Sequence, residues 1–354
     1  MSITATSTAT SPVSTPLTLP RECTFHADDW QILARHWYPV AIAAEIGDDP
    51  AHIRLLDAPL VAYRSGAEIV VADDICPHRG VPLSAGKGDG ATIQCPYHGL
   101  EFGAGGRCVR IPAHPDDKIP ARMHLKPYPA VVRYGLVWTC LDRGANPEDI
   151  PVLRHWGMPG FQTINLAPFE VKAFAGRQVE GFLDVAHFGF VHEATFGDPK
   201  NATVPAYSPT PTDYGFEVDY WSTVGNYPHN GSTHHPGFNW LRHFELFVPF
   251  TATITVHFPD NGILNIMNAA SPVSAKQTRM FAPMARNYDL DQPVQEVHDF
   301  NLQVFEEDRA VVEIQKPENL PLDPKLEVHI PADRSSIAYR RALRGLGLSE
   351  FFTA

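Results

Sequence analysis

A chain of 354 residues, 44% hydrophobic and 19% charged, has the composition of a globular protein and the length of two domains. Its formal charge of −12 supplies no basic stripe for phosphates, so nucleic acid is excluded as an expected partner. No apolar run approaches the length needed to cross a bilayer, so no membrane partner is expected either.

Residues 1–20 hold ten Ser/Thr and no charged side chain, and they lack the basic start and apolar run of a secretory signal. They read as a disordered tail, and the protein is expected in the cytoplasm. Five cysteines without such a signal favour metal ligation over a disulfide framework.

From about residue 36 to 145, short β-branched and aromatic runs alternate with Gly/Pro/Asp turns: IRLLD (53–57), LVAYR (60–64), EIVVAD (68–73), TIQC (92–95) and GLVWTCL (135–141). This predicts a small all-β domain over 21–150, closed by the polar segment 142–151. The remainder, 151–354, reads differently. A strand candidate at 171–174 precedes GRQVEGFLDVAHFGFVH (176–192), where Val179, Phe182, Leu183, Ala186 and Phe190 recur at helical spacing. Strand-like runs fill about 215–288, a long helix is predicted over 292–315 and a short one over 334–344. The fold class is α+β, with the second domain an antiparallel sheet flanked by helices.

Two loops, CPHRG at 76–80 and CPYHG at 95–99, each offer one thiolate and one imidazole. Cys76, His78, Cys95 and His98 suit a [2Fe–2S] cluster with Cys₂ on one iron and His₂ on the other, or a tetrahedral zinc ion. The β setting, the Pro after each Cys and the split of ligand types between loops favour the cluster. Gly80 and Gly99 are expected to bring backbone N–H groups close to its sulfides.

In the second domain Glu180, Asp184 and His187 fall at i, i+4 and i+7 of the predicted helix, on one face. His192 would lie about 140° from His187 on a straight helix. A π-bulge or a helix end between the two histidines is therefore expected if both hold one metal. Two histidines and a carboxylate form the facial triad of oxygen-activating Fe(II). Of Glu306, Glu307 and Asp308, Asp308 lies nearest the centre of the stripe formed by Val294, Val297, Val304, Phe305, Val311 and Val312, and it is the expected third ligand. Glu180 reads either as a group shaping water or proton delivery or as a solvated helix residue. His229, His234 and His235 in a loop over 229–240, with His257 and His298, read as solvated.

CPHRG, CPYHG, DVAHFGFVH, FEEDRAVVEIQ and HIPADRSSIAYRRAL together resemble the oxygenase subunits of Rieske monooxygenases, in the branch of the methylxanthine N-demethylases and saxitoxin-pathway hydroxylases, over about 30–348. Val81 and Tyr97 stand where respiratory Rieske proteins carry a disulfide, and Leu100 stands where the oxygenase branch usually has Trp. The resemblance implies a Rieske [2Fe–2S] cluster and a mononuclear Fe(II). It also implies O2 and a small organic substrate as reactants, a separate NAD(P)H-dependent reductase, and a head-to-tail homotrimer. In that trimer Asp184 would bridge His187 to His98 of a neighbouring copy. The implied reaction is hydroxylation or oxidative N- or O-demethylation. Ring cis-dihydroxylation and a cluster-only electron carrier are the alternatives, and the acidic balance hints at a polar or cationic substrate.

Overall fold

The computed structural model describes residues 16–225 and 237–349. A short helix, α1 (Ala27–Leu33), leads into three small antiparallel sheets. The first orders Tyr38–Ile42, Leu136–Thr139 and Ala130–Arg133, and the second Ala51–Leu55, Ala58–Ser65 and Glu68–Asp73. The third is built from Lys87–Gly88, Ile93–Gln94, Glu101–Phe102 and Cys108–Arg110. The predicted run EIVVAD is the strand Glu68–Asp73 residue for residue.

Period-2 alternation in the second sheet explains how two cores meet there. In Ala58–Ser65, Leu60 and Ala62 join the large core that continues into the second half of the chain. Val61 and Tyr63 face the other way, into a smaller core with Cys76, Cys95, Ile93 and Leu100. Leu100 is therefore a packing residue with no free polar edge.

The second half is built on a nine-stranded antiparallel sheet. Its main path runs Gln162–Asn165, Pro283–Arg286, Ile263–Ser274, Thr251–His257, Trp240–Phe247, Gly215–Ser222 and Thr210–Thr212; Phe169–Val171 and Gln277–Phe281 pair beside it. Helices α2 (Ala175–Leu183), α4 (Val294–Val312) and α5 (Arg334–Gly345) join the apolar face that carries Phe216, Phe244, Leu246, Leu264 and Ile266. Between α2 and α4 lies a single turn, α3 (Phe188–Val191). The predicted long and short C-terminal helices are thus α4 and α5. Near the end of the strand-like region Gln277–Phe281 and Pro283–Arg286 are separate strands, the second opening on Pro283, which cannot donate to the ladder.

Two readings of the stripes are corrected. Phe190 is 62% exposed, and Val294 and Val311 of α4 are exposed as well. The buried line of α4 is narrower, formed by Asn301, Phe305 and Val312. The halves are joined by Leu56 N donating to Pro272 O at 2.7 Å and Asp57 N to Val273 O at 2.9 Å. The segment 142–151 forms turns, including Pro147–Asp149 with Asn146 as its N-cap. Among the described residues no helix is long and apolar enough to cross a membrane.

Candidate metal centres and active site

The two Cys/His loops are near copies of each other. Gly80 N donates to Cys76 O at 2.9 Å and Gly99 N to Cys95 O at 3.0 Å, while Cys76 N and Cys95 N donate to Val81 O and Leu100 O. Both glycines sit at positive φ, +75° and +67°, which a side chain would strain. The N–H groups of Gly80 and Gly99 themselves close the loops onto the cysteine carbonyls.

The loops bring the four candidate ligands together. Cys76 and Cys95 are buried, and the His78 and His98 rings approach to 4.6 Å between centroids. Burial pushes the Cys76 thiol up to about 11, with Cys95 beside it, so an added cation rather than free ionisation would release the Cys76 proton. His78 Nδ1 is buried without a hydrogen-bond partner among the described residues. Two soft sulfurs and an unclaimed imidazole nitrogen in one place fit a Cys₂His₂ cluster. None of the five cysteines is in a disulfide. The tip is exposed at Ile75 and at Tyr97, whose ring lies 3.8 Å from that of His98.

The second centre depends on a break in the predicted helix. α2 stops at Leu183, and Asp184 adopts extended backbone angles. Its Oδ1 accepts from Ala186 N at 2.7 Å, a local turn that competes with the helical ladder. The chain then restarts as α3, with His187 and His192 at its two ends. A helix end lies between the histidines as expected, at Val191, but a further break at Asp184 precedes His187, and so Glu180, Asp184 and His187 do not share a helical face.

This break lets both rings meet α4. His187 Nε2 and His192 Nε2 are 3.1 Å apart, and each lies 3.3 Å and 3.2 Å respectively from Asp308 Oδ1. Donors about 2.1 Å from one cation lie about 3.0 Å apart at right angles, so this nearly equilateral triangle fits a single metal. Without one, burial disfavours a charge on His187, but Asp184 and Asp308 outweigh it and raise His187 to about 9. Burial likewise opposes the charge on Asp308, yet the two histidines hold its carboxyl below the usual range. Behind the triangle, Asp184 Oδ2 is 3.8 Å from His187 Nδ1, and Glu307 Oε2 is 2.8 Å from His192 Nδ1. Glu307 falls off the apolar stripe predicted for this helix. Its only sequence signal is adjacency to Asp308.

A cavity opens on this triangle, walled by Phe182, Phe188, Phe196, Ile254, Ile266 and Phe305. Asn301 is its neutral polar group, with its amide nitrogen donating to Val297 O at 2.8 Å. Among the described residues, Asp308 is the one carboxylate in its lining.

Glu180 is neither solvated nor at this cavity. It is 8% exposed, and Arg340 donates to both its oxygens, at 2.7 and 2.9 Å. Arg177 donates to Glu180 at 3.2 Å and to Glu327 at 2.6 Å, and Arg340 also reaches Glu327. A second acidic group with a histidine, Glu217, His243 and Glu245, is already satisfied by Arg154 on Glu245 and Asp219 on His243. His298 accepts from Ala167 N at 3.3 Å, and His257 is half-buried. His229, His234 and His235 lie outside the described residues.

The Rieske [2Fe-2S] domain family matches residues 36–129, and the Vanillate O-demethylase oxygenase C-terminal domain family matches 171–348. Methylxanthine N1-demethylase NdmA of Pseudomonas putida is 31% identical over 338 residues, covering 90% of each chain. Methylxanthine N3-demethylase NdmB of the same organism is 30% identical, covering 91% of this chain and 92% of its own. The solved structure of P. putida CBB5 NdmA with caffeine superposes with a TM-score of 0.77 at 30% identity, over 90% of this chain and 92% of that one. Dicamba monooxygenase bound to dicamba shares the fold, with a TM-score of 0.77 at 23% identity over 89% of this chain and 97% of that one.

Proposed function

Because this chain belongs to the Rieske non-heme iron oxygenases that join a Rieske domain to a vanillate O-demethylase-type oxygenase domain, we propose that it hydroxylates, or oxidatively N- or O-demethylates, a small neutral aromatic or heterocyclic molecule. As an oxygenase component it takes electrons from a separate reductase. The observation that carries the reading is the His187, His192 and Asp308 triangle facing an apolar, aromatic cavity. Cys76, His78, Cys95 and His98 would hold the [2Fe–2S] cluster, and His187, His192 and Asp308 the mononuclear iron. When bound, these groups supply electron storage and dioxygen activation.

The residues of the chain then do the rest. Five phenylalanines around the cavity exclude water and sandwich a flat ring, and the Asn301 amide gives it one polar contact. For a methylated substrate the balance is one N–CH3 or O–CH3, one O2, two electrons and two protons, yielding N–H or O–H, formaldehyde and water. The demethylase names of the similar proteins support this over dihydroxylation or simple electron transfer.

A head-to-tail homotrimer fits two exposed surfaces. Ile75 and Tyr97 project at the cluster tip, while Ile314, Leu326, Val328 and Ile330 are exposed in the C-terminal half. Val328 shares a polar cleft with Asp184, so a neighbour's tip seated there would bring His98 to Asp184. Cytoplasmic residence agrees with five unpaired cysteines.

The test is a screen of N- and O-methylated aromatic and heterocyclic compounds with purified protein, a surrogate reductase and NADH. Formaldehyde released in step with O2 uptake supports demethylation. Hydroxylated product without formaldehyde leaves hydroxylation, and a cis-diol would overturn both.

A further inference from the structure

Glu307 precedes Asp308 on α4, and one residue turns a helix by about 100°. That step carries its side chain around the flank of the triangle to the far side of His192. There Glu307 Oε2 lies 2.8 Å from His192 Nδ1 and accepts from Thr195 Oγ1 at 2.8 Å. Glu307 Oε1 faces Gln303 Nε2 at 3.3 Å. Thr195 also donates its backbone N–H to His192 O at 2.9 Å, so the residue that closes the turn after α3 pins the carboxylate. His192 and Thr195 are 2% and 3% exposed, and Phe196 stacks on the His192 ring at 4.6 Å.

We infer that Glu307 is the positioning residue for His192. An ionised carboxylate only accepts, so the imidazole hydrogen sits on Nδ1 and the Nε2 lone pair points at the triangle. The negative charge behind the ring also makes Nε2 a stronger donor to a cation. The two histidines are thereby unequal. His192 is fixed within the chain by a short contact to Glu307, whereas His187 faces Asp184 across 3.8 Å, beyond hydrogen-bond reach. His192 is the rigid arm of the centre, and His187 is the arm left free to respond to Asp184.

This inference rests on reading His187, His192 and Asp308 as the iron ligands, and the test separates the two. Cluster-intact protein stripped of mononuclear metal is titrated anaerobically with Fe(II), and with Co(II) as an optical probe of ligand geometry. Glu307→Ala is expected to weaken Fe(II) binding about 10–100-fold and to change the Co(II) spectrum, leaving the cluster spectrum intact. Glu307→Gln, whose amide oxygen still accepts from Nδ1–H, loses less than about tenfold. Thr195→Val, which only unpins the carboxylate, loses about two- to tenfold, the worth of one hydrogen bond. Wild-type affinity and spectrum in both Glu307 variants, with His192→Ala losing the metal, would overturn the role of Glu307 and leave the iron site standing. Wild-type metal binding by His192→Ala would overturn the iron site itself. If Glu307→Ala does not fold, unchanged affinity in Glu307→Gln and Thr195→Val overturns the inference.

Discussion

Replacing Glu180 by Ala separates a structural from a chemical reading of this α2 carboxylate. The substitution removes the acceptor of both Arg340 contacts and leaves the guanidiniums of Arg177 and Arg340, each 4% exposed, with Glu327 as their one remaining carboxylate, Arg177 also donating to Pro317 O at 3.0 Å. Neither cation has a spare acceptor nearby, since Arg177 Nε and Arg340 Nη1 are already unpaired among the described residues. Breaking a buried pair from one side costs about 3–5 kcal/mol. An unfolding entropy of about 2.1 cal/mol/K per residue over this chain makes that a loss of roughly 4–7 °C in Tm. The assay is a thermal melt at matched metal content, paired with turnover per iron-loaded molecule. Glu180→Ala is expected to melt early and to keep most of its turnover below the melt. An unchanged Tm with turnover abolished would refute the ion-pair account and return Glu180 to proton delivery.

Asp184→Asn should keep both metal centres but slow cluster oxidation in a single turnover by about 10–100-fold, because the carboxylate that addresses His187 is lost; an unchanged rate removes Asp184 from the path. Burial holds His36 down at about 4, against about 6.5 unfolded. Between those values the unfolded chain binds more protons, so the contribution of His36 is present above pH 6.5 and is lost as pH falls to 4, about 3 kcal/mol at most. The difference between wild-type and His36→Asn urea midpoints should therefore shrink across that window. A constant difference would contradict it.

The cluster site was legible because its information is local. Each loop closes within five residues, through a Cys carbonyl and a Gly at positive φ, and ligand spacing is set by that turn. Asp308 was legible for a related reason, since a carboxylate on an apolar helix stripe needs a partner. The additional break at Asp184 was not legible because the apolar repeat runs on through 190, while the decisive competitor, the Asp184 carboxylate on Ala186 N, interrupts the ladder without disturbing that repeat. What Glu180 and Glu307 pair with was not legible for the same cause. Their partners, Arg340 and His192, lie 160 and 115 residues away, and helical spacing carries no information about what packs on a helix flank. Leu100 is buried beside the cysteines.

Iron and acid-labile sulfide per subunit, measured on anaerobically purified protein with EPR of the dithionite-reduced sample, test the account most directly. Two irons and two sulfides from the [2Fe-2S] domain, a Rieske-type signal, and one further iron that His192→Ala loses are the expected result. Zinc without sulfide, or a third iron that survives the loss of His192, would contradict it.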